Sequence, residues 1–428
     1  LGDVYKRQDK FSNLGVTKFT GCFTLFLLFL LWLVACTAIG ARAPRPRNAN
    51  AGRDVTLWGV LAFAGTSLIS TFTSLSPMAS TWGLGGYYGG LMLVLFTAAG
   101  YWAVRSYLDL ENLDFVFWVL GITTSIVAVL YVLNIFNIDL IGAYADTAVV
   151  ERAQFFSTLG QKDFNGCFFS VALPIVFYQF LNAKDTRTAV WTGIPAAFGA
   201  LALAVVDSEA LALGIGAAVM VLVCHKNFTT RHLRRAALIS AAFFGWAAWM
   251  HYMRASVYTQ GGTALLAKLG AWQVALPCMA ASLLLWLVLF VLARKGIAAQ
   301  APLYLPGRVI TIAVLAVGAL AFVLANAMPN LPLPESLHNL LVFNDDWGTY
   351  RGVAWRAAFG TWADGSLLRK IVGIGPGMMH TAVAAWAGDA MTARMATFYA
   401  AHNEYLEQLL TTGILGLSLI HISEPTRL

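Results

Sequence analysis

The feature that most constrains this chain is a series of apolar blocks, each close in length to a membrane-spanning helix. At about 1.5 Å per residue, such a block crosses a hydrocarbon core of about 30 Å. Backbone groups in lipid must be hydrogen-bonded within their own segment, so the blocks predict helices. The sequence therefore predicts an all-α, polytopic transmembrane helical bundle with about eleven visible spans. The blocks cover residues 18–40, 55–75, 87–107, 114–135, 166–183, 189–206, 209–224, 236–253, 268–293 and 309–328, and an eleventh begins near His402.

The composition excludes several other classes of protein. Of the 428 residues, 59% are hydrophobic and 11% are charged, against roughly 25% charged in soluble domains. The five cysteines lie in or beside apolar blocks without a CxxC pair, which predicts neither a disulfide framework nor a metal site. The net charge of +7 comes from basic residues between the blocks, so we expect no nucleic-acid partner.

Both ends of the chain look foreign to it. The strings DVYKRQ (Asp3–Gln8) and LSLIHISEPTR (Leu417–Arg427) resemble translated sequencing-adapter ends. We therefore expect a native product truncated at both ends, with residues 1–8 and 417–428 set aside. Between them we expect a membrane region of about ten helices (9–328), a long loop (329–402) and the start of a last span (403–416).

Lysine and arginine predict the orientation of the spans. They gather in one alternating set of connecting segments, for example around Arg234 and Arg294, and are sparse in the opposite short segments. By the positive-inside rule the first set is cytoplasmic. This places residues 136–164 and 329–402 on the extracytoplasmic side. A loop as long as the second one either carries function or is disordered.

Within this loop, Arg351–Trp362 (RGVAWRAAFGTW) has a helical pattern. At 100° per residue, Trp355, Phe359 and Trp362 lie within about 80° of Arg351. An aromatic face with an arginine is typical of a helix at the membrane interface, where Arg351 would meet lipid phosphate. The arginine can bind phosphate through two donors or can simply extend from the helix into the headgroup region. Arg356 points roughly the other way.

Two further motifs follow in the loop. Gly373–Gly377 (GIGPG) predicts a tight turn, either structural or a weak phosphate cradle, and it is not a P-loop. His402 precedes an apolar run, and a histidine in the first turn of a helix is favoured as neutral imidazole, the form that a general base needs. The alternative is a boundary histidine that only caps or anchors the helix. We expect His338 and His380 to be surface residues.

In order, the strings RGVAW, GIGPG and HNEYLEQLLTTGILGL resemble the signature of the O-antigen ligase/polymerase superfamily. Residues 152–174 (RAQFFSTLGQKDFNGCFFSVALP) look like the outer segment that leads into one of its spans. The resemblance implies a membrane glycosyltransferase that moves a glycan from undecaprenyl diphosphate to an acceptor hydroxyl on a glycan, lipid or protein. It places the chain in the bacterial cytoplasmic membrane, with the active loop extracytoplasmic and no nucleotide, metal or other cofactor.

By position, the resemblance implies that His402 deprotonates the acceptor and that Arg351 binds the diphosphate. Many members carry Ser-Arg at the outer start of a middle span, where this chain has Ser208-Glu209. A carboxylate cannot replace that contact with a diphosphate. We therefore expect either that Arg152, Lys162 or Arg356 supplies the charge or that the donor differs. Glu209, together with Asn403 and Trp355, is a candidate for acceptor binding or support of the site; the alternative for Glu209 is a carboxylate that is only solvated at the span boundary.

Other functions remain open at this stage. A repeat polymerase, of the O-antigen or teichuronic type, would share every motif with a ligase. A transporter of lipid-linked sugar would also need many spans, but it should carry ionisable residues near mid-membrane, and here they gather outside the spans. Asp345 and Asp346 suggest a metal-dependent transferase as a further alternative. Adjacent carboxylates in a polar loop, however, are usually only solvated.

Overall fold

Helices dominate the computed structural model, which describes residues 14–39, 55–84, 88–107, 113–144, 152–206, 208–256, 268–297, 300–328, 331–393 and 398–423. Residues 1–8, predicted to be foreign, lie outside the described residues, as do residues 424–428. The helices are α1 Leu14–Ala38, α2 Val55–Phe72, α3 Pro77–Trp82, α4 Leu91–Tyr107, α5 Leu113–Ile135, α6 Lys162–Asn182, α7 Thr186–Val205, α8 Glu209–Cys224, α9 Thr230–Ser256, α10 Trp272–Arg294, α11 Tyr304–Ala327, α12 Glu335–Leu341, α13 Trp347–Ala363, α14 Leu367–Val372, α15 Met379–Ala393, α16 Glu404–Thr411 and α17 Gly413–Ser423.

Each complete apolar block that the sequence defines overlaps one helix between α1 and α11. In the described part of the chain, seven helices are long and apolar enough to cross a membrane. Helices α4 and α8 are apolar but shorter. The chain is therefore an all-α membrane protein, and the count of about eleven spans stays a prediction. The seven segments are Phe19–Cys36, Val55–Phe72, Leu113–Ile135, Lys162–Asn182, Thr186–Val205, Trp272–Arg294 and Tyr304–Ala327.

The chain divides into two compact units, and the first contains residues 110–317. Its core lies among α5, α6, α7 and α9, and includes Tyr131, Phe169, Leu201 and Met250. Small residues allow the helices to approach closely: a Cβ at Gly199 of α7 would come within 2.9 Å of a Leu173 methyl group. An antiparallel pair of short strands, β1 (Phe155–Phe156) and β2 (Gly160–Gln161), precedes α6.

Basic side chains in the first unit also cap helix C-termini. The Arg235 guanidinium donates to the carbonyls of Phe180, Leu181 and Ala183 at the end of α6, at 3.1, 2.9 and 2.7 Å. Arg308 donates to the Cys224 carbonyl of α8 at 3.0 Å. Carbonyls at a helix C-terminus lack the N–H partner that the helix interior provides, and the negative end of the helix dipole favours a cation. The basic clusters that predict orientation therefore have a local structural role as well.

The second unit contains residues 15–109 and 318–428. Helix α2 packs against α4 and α17, and the short helices α13 to α16 pack against one another. The predicted last span from residue 403 stays a prediction, and its helix is interrupted, because α16 ends at Thr411 and α17 begins at Gly413. Gly413 has φ +72°, and a Cβ there would come within 2.3 Å of the Ile371 carbonyl oxygen. The close approach of this backbone therefore breaks the helix.

Candidate functional site

The helix predicted over Arg351–Trp362 lies within α13, and its entry is unusual. Gly348, Thr349 and Tyr350 have φ values of 61°, 60° and 69°, so three consecutive residues are left-handed immediately before Arg351. Only glycine adopts this region without steric cost, and such conformations persist where the surroundings enforce them. Regular helix therefore starts at Arg351, whose side chain is half-buried.

Glycine in the RGVAW string is required by a close backbone approach. A Cβ at Gly352 would lie 1.8 Å from the Asn344 carbonyl oxygen. The N–H of Val353 donates to the Asp345 carbonyl oxygen at 3.2 Å across the same contact. The turn before α13 therefore lies directly on the first turn of the regular helix.

Trp355 joins this helix to the segment that carries His402. Its indole Nε1 donates to the Ala401 carbonyl oxygen at 2.9 Å. Its ring packs in an aromatic cluster, with centroid distances of 5.0 Å to Trp347 and 6.1 Å to Phe343. Trp355 lies one helical turn after Arg351, so the two side chains share a face of α13. The structure thus brings the RGVAW helix and the residue preceding His402 into direct contact.

His402 is exposed and has a left-handed φ of 51°. Its ring lies edge-on to Phe398, with centroids 6.1 Å apart. The expectation that His402 sits in the first helical turn or caps the helix is wrong. Asn403 is the cap: its side-chain oxygen accepts from the N–H groups of Tyr405 and Leu406 at 3.1 and 3.3 Å, which is the usual role of asparagine at this position.

Sequence reasoning missed Glu407, whose carboxylate oxygen accepts a hydrogen bond from the Ala401 N–H at 2.7 Å. The Ala401 residue is thus held by Trp355 at its carbonyl and by Glu407 at its amide. Burial raises the pKa of Glu407 to about 7, Glu404 adds to the rise, and the Ala401 hydrogen bond opposes it. Helix α16 lies outside the seven membrane-length segments. Glu407 lies four residues, about one helical turn, after Asn403. This spacing is the only sequence signal that could have identified Glu407 as part of the site.

The structure uses GIGPG as a packing turn. Gly373, Gly375 and Gly377 all have positive φ, at 82°, 107° and 71°. The N–H groups of Ile374 and Gly375 donate to the Leu410 and Thr411 carbonyls at the end of α16, at 3.1 and 2.9 Å. These two donors are therefore committed to α16, which argues against the phosphate-cradle alternative. The turn fixes the far end of the helix that follows His402.

Arg356 forms an ion pair with Asp345. The side chain of Arg356 is 58% exposed and that of Asp345 is 24% exposed. Asp346 lies at the N-cap position of α13. Arg356, which the sequence predicts to bind a diphosphate, is therefore paired with a carboxylate in the folded chain.

Three predicted residues, Arg152, Lys162 and Glu209, belong to the first unit. Arg152 lies in a 3-10 turn, donates to the Tyr144 carbonyl at 3.4 Å and stacks over that ring at 5.4 Å. Burial and, to a lesser extent, Asp139 raise the pKa of the Tyr144 hydroxyl, which donates to the Phe155 carbonyl. Glu209 is exposed in the first turn of α8, where the helix dipole favours a carboxylate.

The remaining histidines of the loop differ from each other. His338 is exposed on α12, as expected. His380 is half-buried, stacks on Tyr399 with centroids 4.6 Å apart, and places Nδ1 3.1 Å from the Phe398 carbonyl oxygen. The prediction that His380 is a surface residue is therefore only partly right. Its contacts tie α15 to the segment that leads into His402.

In the second unit, an exposed imidazole on a fixed backbone and an arginine on the adjoining helix can together accept a proton and offset negative charge. Within the described residues, no group of three or more His, Cys, Asp or Glu side chains is arranged to hold a metal ion. Comparisons with protein family models, with curated proteins and with solved structures found no match to this chain.

Proposed function

We propose that this chain is a membrane glycosyltransferase of the O-antigen ligase type. It transfers a glycan from undecaprenyl diphosphate to an acceptor hydroxyl on the outer face of the bacterial cytoplasmic membrane. The observation that supports this best is the link between two motifs that are far apart in sequence. Trp355 of RGVAW donates to Ala401, which directly precedes His402.

The proposed chemistry needs few groups. His402 accepts the proton of the acceptor hydroxyl as that oxygen attacks the anomeric carbon, and the bond from this carbon to the diphosphate breaks. Arg351 binds the diphosphate through its planar guanidinium and offsets its negative charge. Because a diphosphate leaves readily, positioning and proton removal are the main tasks of the protein.

The neighbours of Ala401 act as positioning residues in this proposal. Trp355 and Glu407 hold the peptide groups on either side of Ala401, at 2.9 and 2.7 Å. Asn403 caps the helix that follows. A left-handed residue between two such anchors has little freedom to move, which suits a base that must meet a hydroxyl within hydrogen-bond distance.

The membrane arrangement is part of the same proposal. We infer about eleven spans, with residues 329–402 outside the membrane on the extracytoplasmic side and the polar helix α16 at the interface before the last span. The mixture of basic and exposed apolar residues in α14 (LLRKIV) supports a position at the interface, since Leu367 and Leu368 are exposed beside Arg369 and Lys370. A ligase and a repeat polymerase differ in the acceptor, not in these groups.

The deciding experiment replaces His402 by alanine in the full chain. Purified protein in proteoliposomes is supplied with a lipid-linked glycan and a hydroxyl acceptor, and transfer is followed by the shift of the acceptor on a gel. Loss of a general base is expected to reduce the rate by about 10²–10⁴-fold. His338→Ala, which removes an exposed histidine on α12, is the matched control and should transfer normally. Normal transfer by His402→Ala would contradict the proposal.

A further inference from the structure

A cleft of about 530 Å³ opens beside the face of α13 that carries Arg356. At 100° per residue, Arg356 lies about 140° around the helix from Arg351, so the cleft is not on the Arg351 face. Its volume is within the range of small-molecule sites, roughly 300–1,000 Å³. The lining consists of Asp345, Val353, Arg356 and residues 384–390 of α15.

One wall of the cleft is an exposed aromatic ring that is held in place. Trp386 is 48% exposed, yet its Nε1 donates to an Asp364 carboxylate oxygen at 2.9 Å. The ring also packs over Gly360, where a Cβ would come within 2.4 Å of the ring carbon Cζ2. A rigid, exposed tryptophan offers a large apolar surface at little entropic cost to binding.

The polar side chains of the cleft carry both donors and acceptors. The Arg356 guanidinium is paired with Asp345, and Asp389 is a second carboxylate in the lining. One arginine and two aspartates give this lining a formal charge of −1. An anionic ligand would therefore be disfavoured, whereas hydroxyl groups can donate to the carboxylates and accept from the guanidinium.

A break in α15 lies at the centre of the cleft wall. Ala387 has φ −126° and ψ 24°, outside the helical region, and lining residues lie on both sides of it. Backbone groups at such a break leave the regular helical ladder and can face a ligand. Next to it, a Cβ added at Gly388 would meet no atom within 4 Å. This lining position therefore has room for a Cβ.

We propose that this cleft is a saccharide subsite for a neutral pyranose. The ring of Trp386 packs against the apolar face of the sugar, while Arg356, Asp345 and Asp389 bind its hydroxyl groups. The assignment of that sugar to the transferred or accepting glycan rests on the proposed function. Recognition of a neutral sugar at this cleft does not depend on transfer.

The test is saturation-transfer NMR on the full chain in nanodiscs. The probes are the neutral methyl glycosides of glucose, galactose, mannose and N-acetylglucosamine, with methyl glucuronide as the anionic comparison. We expect saturation of the ring C–H protons of at least one neutral probe, and a weaker signal from the glucuronide. Trp386→Ala should reduce the neutral signal at least fivefold.

Gly388→Leu adds a bulky side chain at a lining position where a Cβ meets no other atom, so it should reduce the signal while thermal unfolding stays unchanged. Phe359→Ala is the matched control, since it removes an exposed ring of α13 outside the cleft lining. The absence of a signal from all neutral probes would overturn the proposal, and so would a signal that persists in both cleft variants. His402→Ala should still bind the sugar. If that variant also transfers glycan normally, the proposed function fails while the subsite stands.

Discussion

The Glu407 carboxyl makes the stability of the second unit depend on pH. Burial raises its pKa from 4.5 to about 7. At about 1.4 kcal/mol per pKa unit, this shift lowers the free energy of unfolding by about 3 kcal/mol once the group is ionised. Glutamine at this position keeps an acceptor oxygen for the Ala401 N–H but carries no charge.

The sign follows from proton binding in the two states. Below about pH 4.5 the carboxyl is neutral in the folded and the unfolded chain, so it costs no stability. As pH rises from 4.5 to about 7, the unfolded chain releases the proton while the folded chain retains it, and the free energy of unfolding falls. Above about pH 7 both states are ionised and the loss is complete.

Glu407→Gln should therefore match the wild type near pH 4.5 and exceed it at pH 8 by about 2–3 kcal/mol. At roughly 2–4 °C per kcal/mol, the unfolding midpoint at pH 8 should rise by about 4–12 °C. The measurement is thermal unfolding in detergent micelles from pH 4.5 to pH 8. Glu404→Gln, which changes an exposed carboxyl on the same helix, should alter the pH dependence much less. Identical pH dependence in the wild type and Glu407→Gln would refute the reasoning.

Three further predictions concern α13. Trp355→Phe removes the indole donor and should slow glycan transfer about three- to tenfold, since a neutral hydrogen bond contributes about 1 kcal/mol; an unchanged rate in the proteoliposome assay would exclude a positioning role. Gly352→Ala forces a Cβ against the Asn344 carbonyl and should cost about 1–3 kcal/mol in thermal unfolding, whereas Gly318→Ala, with open space around it, should not. Arg351→Lys should raise the KM for the lipid-linked donor more than it lowers kcat. A KM for the donor equal to that of the wild type would indicate an arginine that only extends into the headgroup region.

Much of the membrane architecture could be predicted from local pattern. Each complete apolar block overlaps a helix, because a long apolar segment in lipid can satisfy its backbone only as a helix. The helix over Arg351–Trp362 followed from its 3.6-residue pattern, and the turn at GIGPG followed from its glycines. These features depend on residues within one or two turns of each other.

The predictions about the end of the loop failed where local signals compete. His402 and Asn403 are both polar residues before an apolar run, and the side-chain oxygen of Asn403 is the one that caps the N–H groups of Tyr405 and Leu406. The apolar run after them predicted one span. Within that run the helix is interrupted at Gly413, where the backbone lies close to the distant residue Ile371.

What the sequence determined by itself is the class of protein, the helical segments and the residue types available for chemistry. What only the tertiary structure decided is which of these groups meet. Trp355 and Ala401 are 46 residues apart and share a hydrogen bond, and Arg356 is joined to Asp345 rather than presented alone. The raised pKa of Glu407 likewise depends on its burial in the folded chain. The hydrophobic pattern of a segment indicates whether that segment avoids water. It does not indicate which other segment it packs against, because packing and burial arise from contacts distant in sequence.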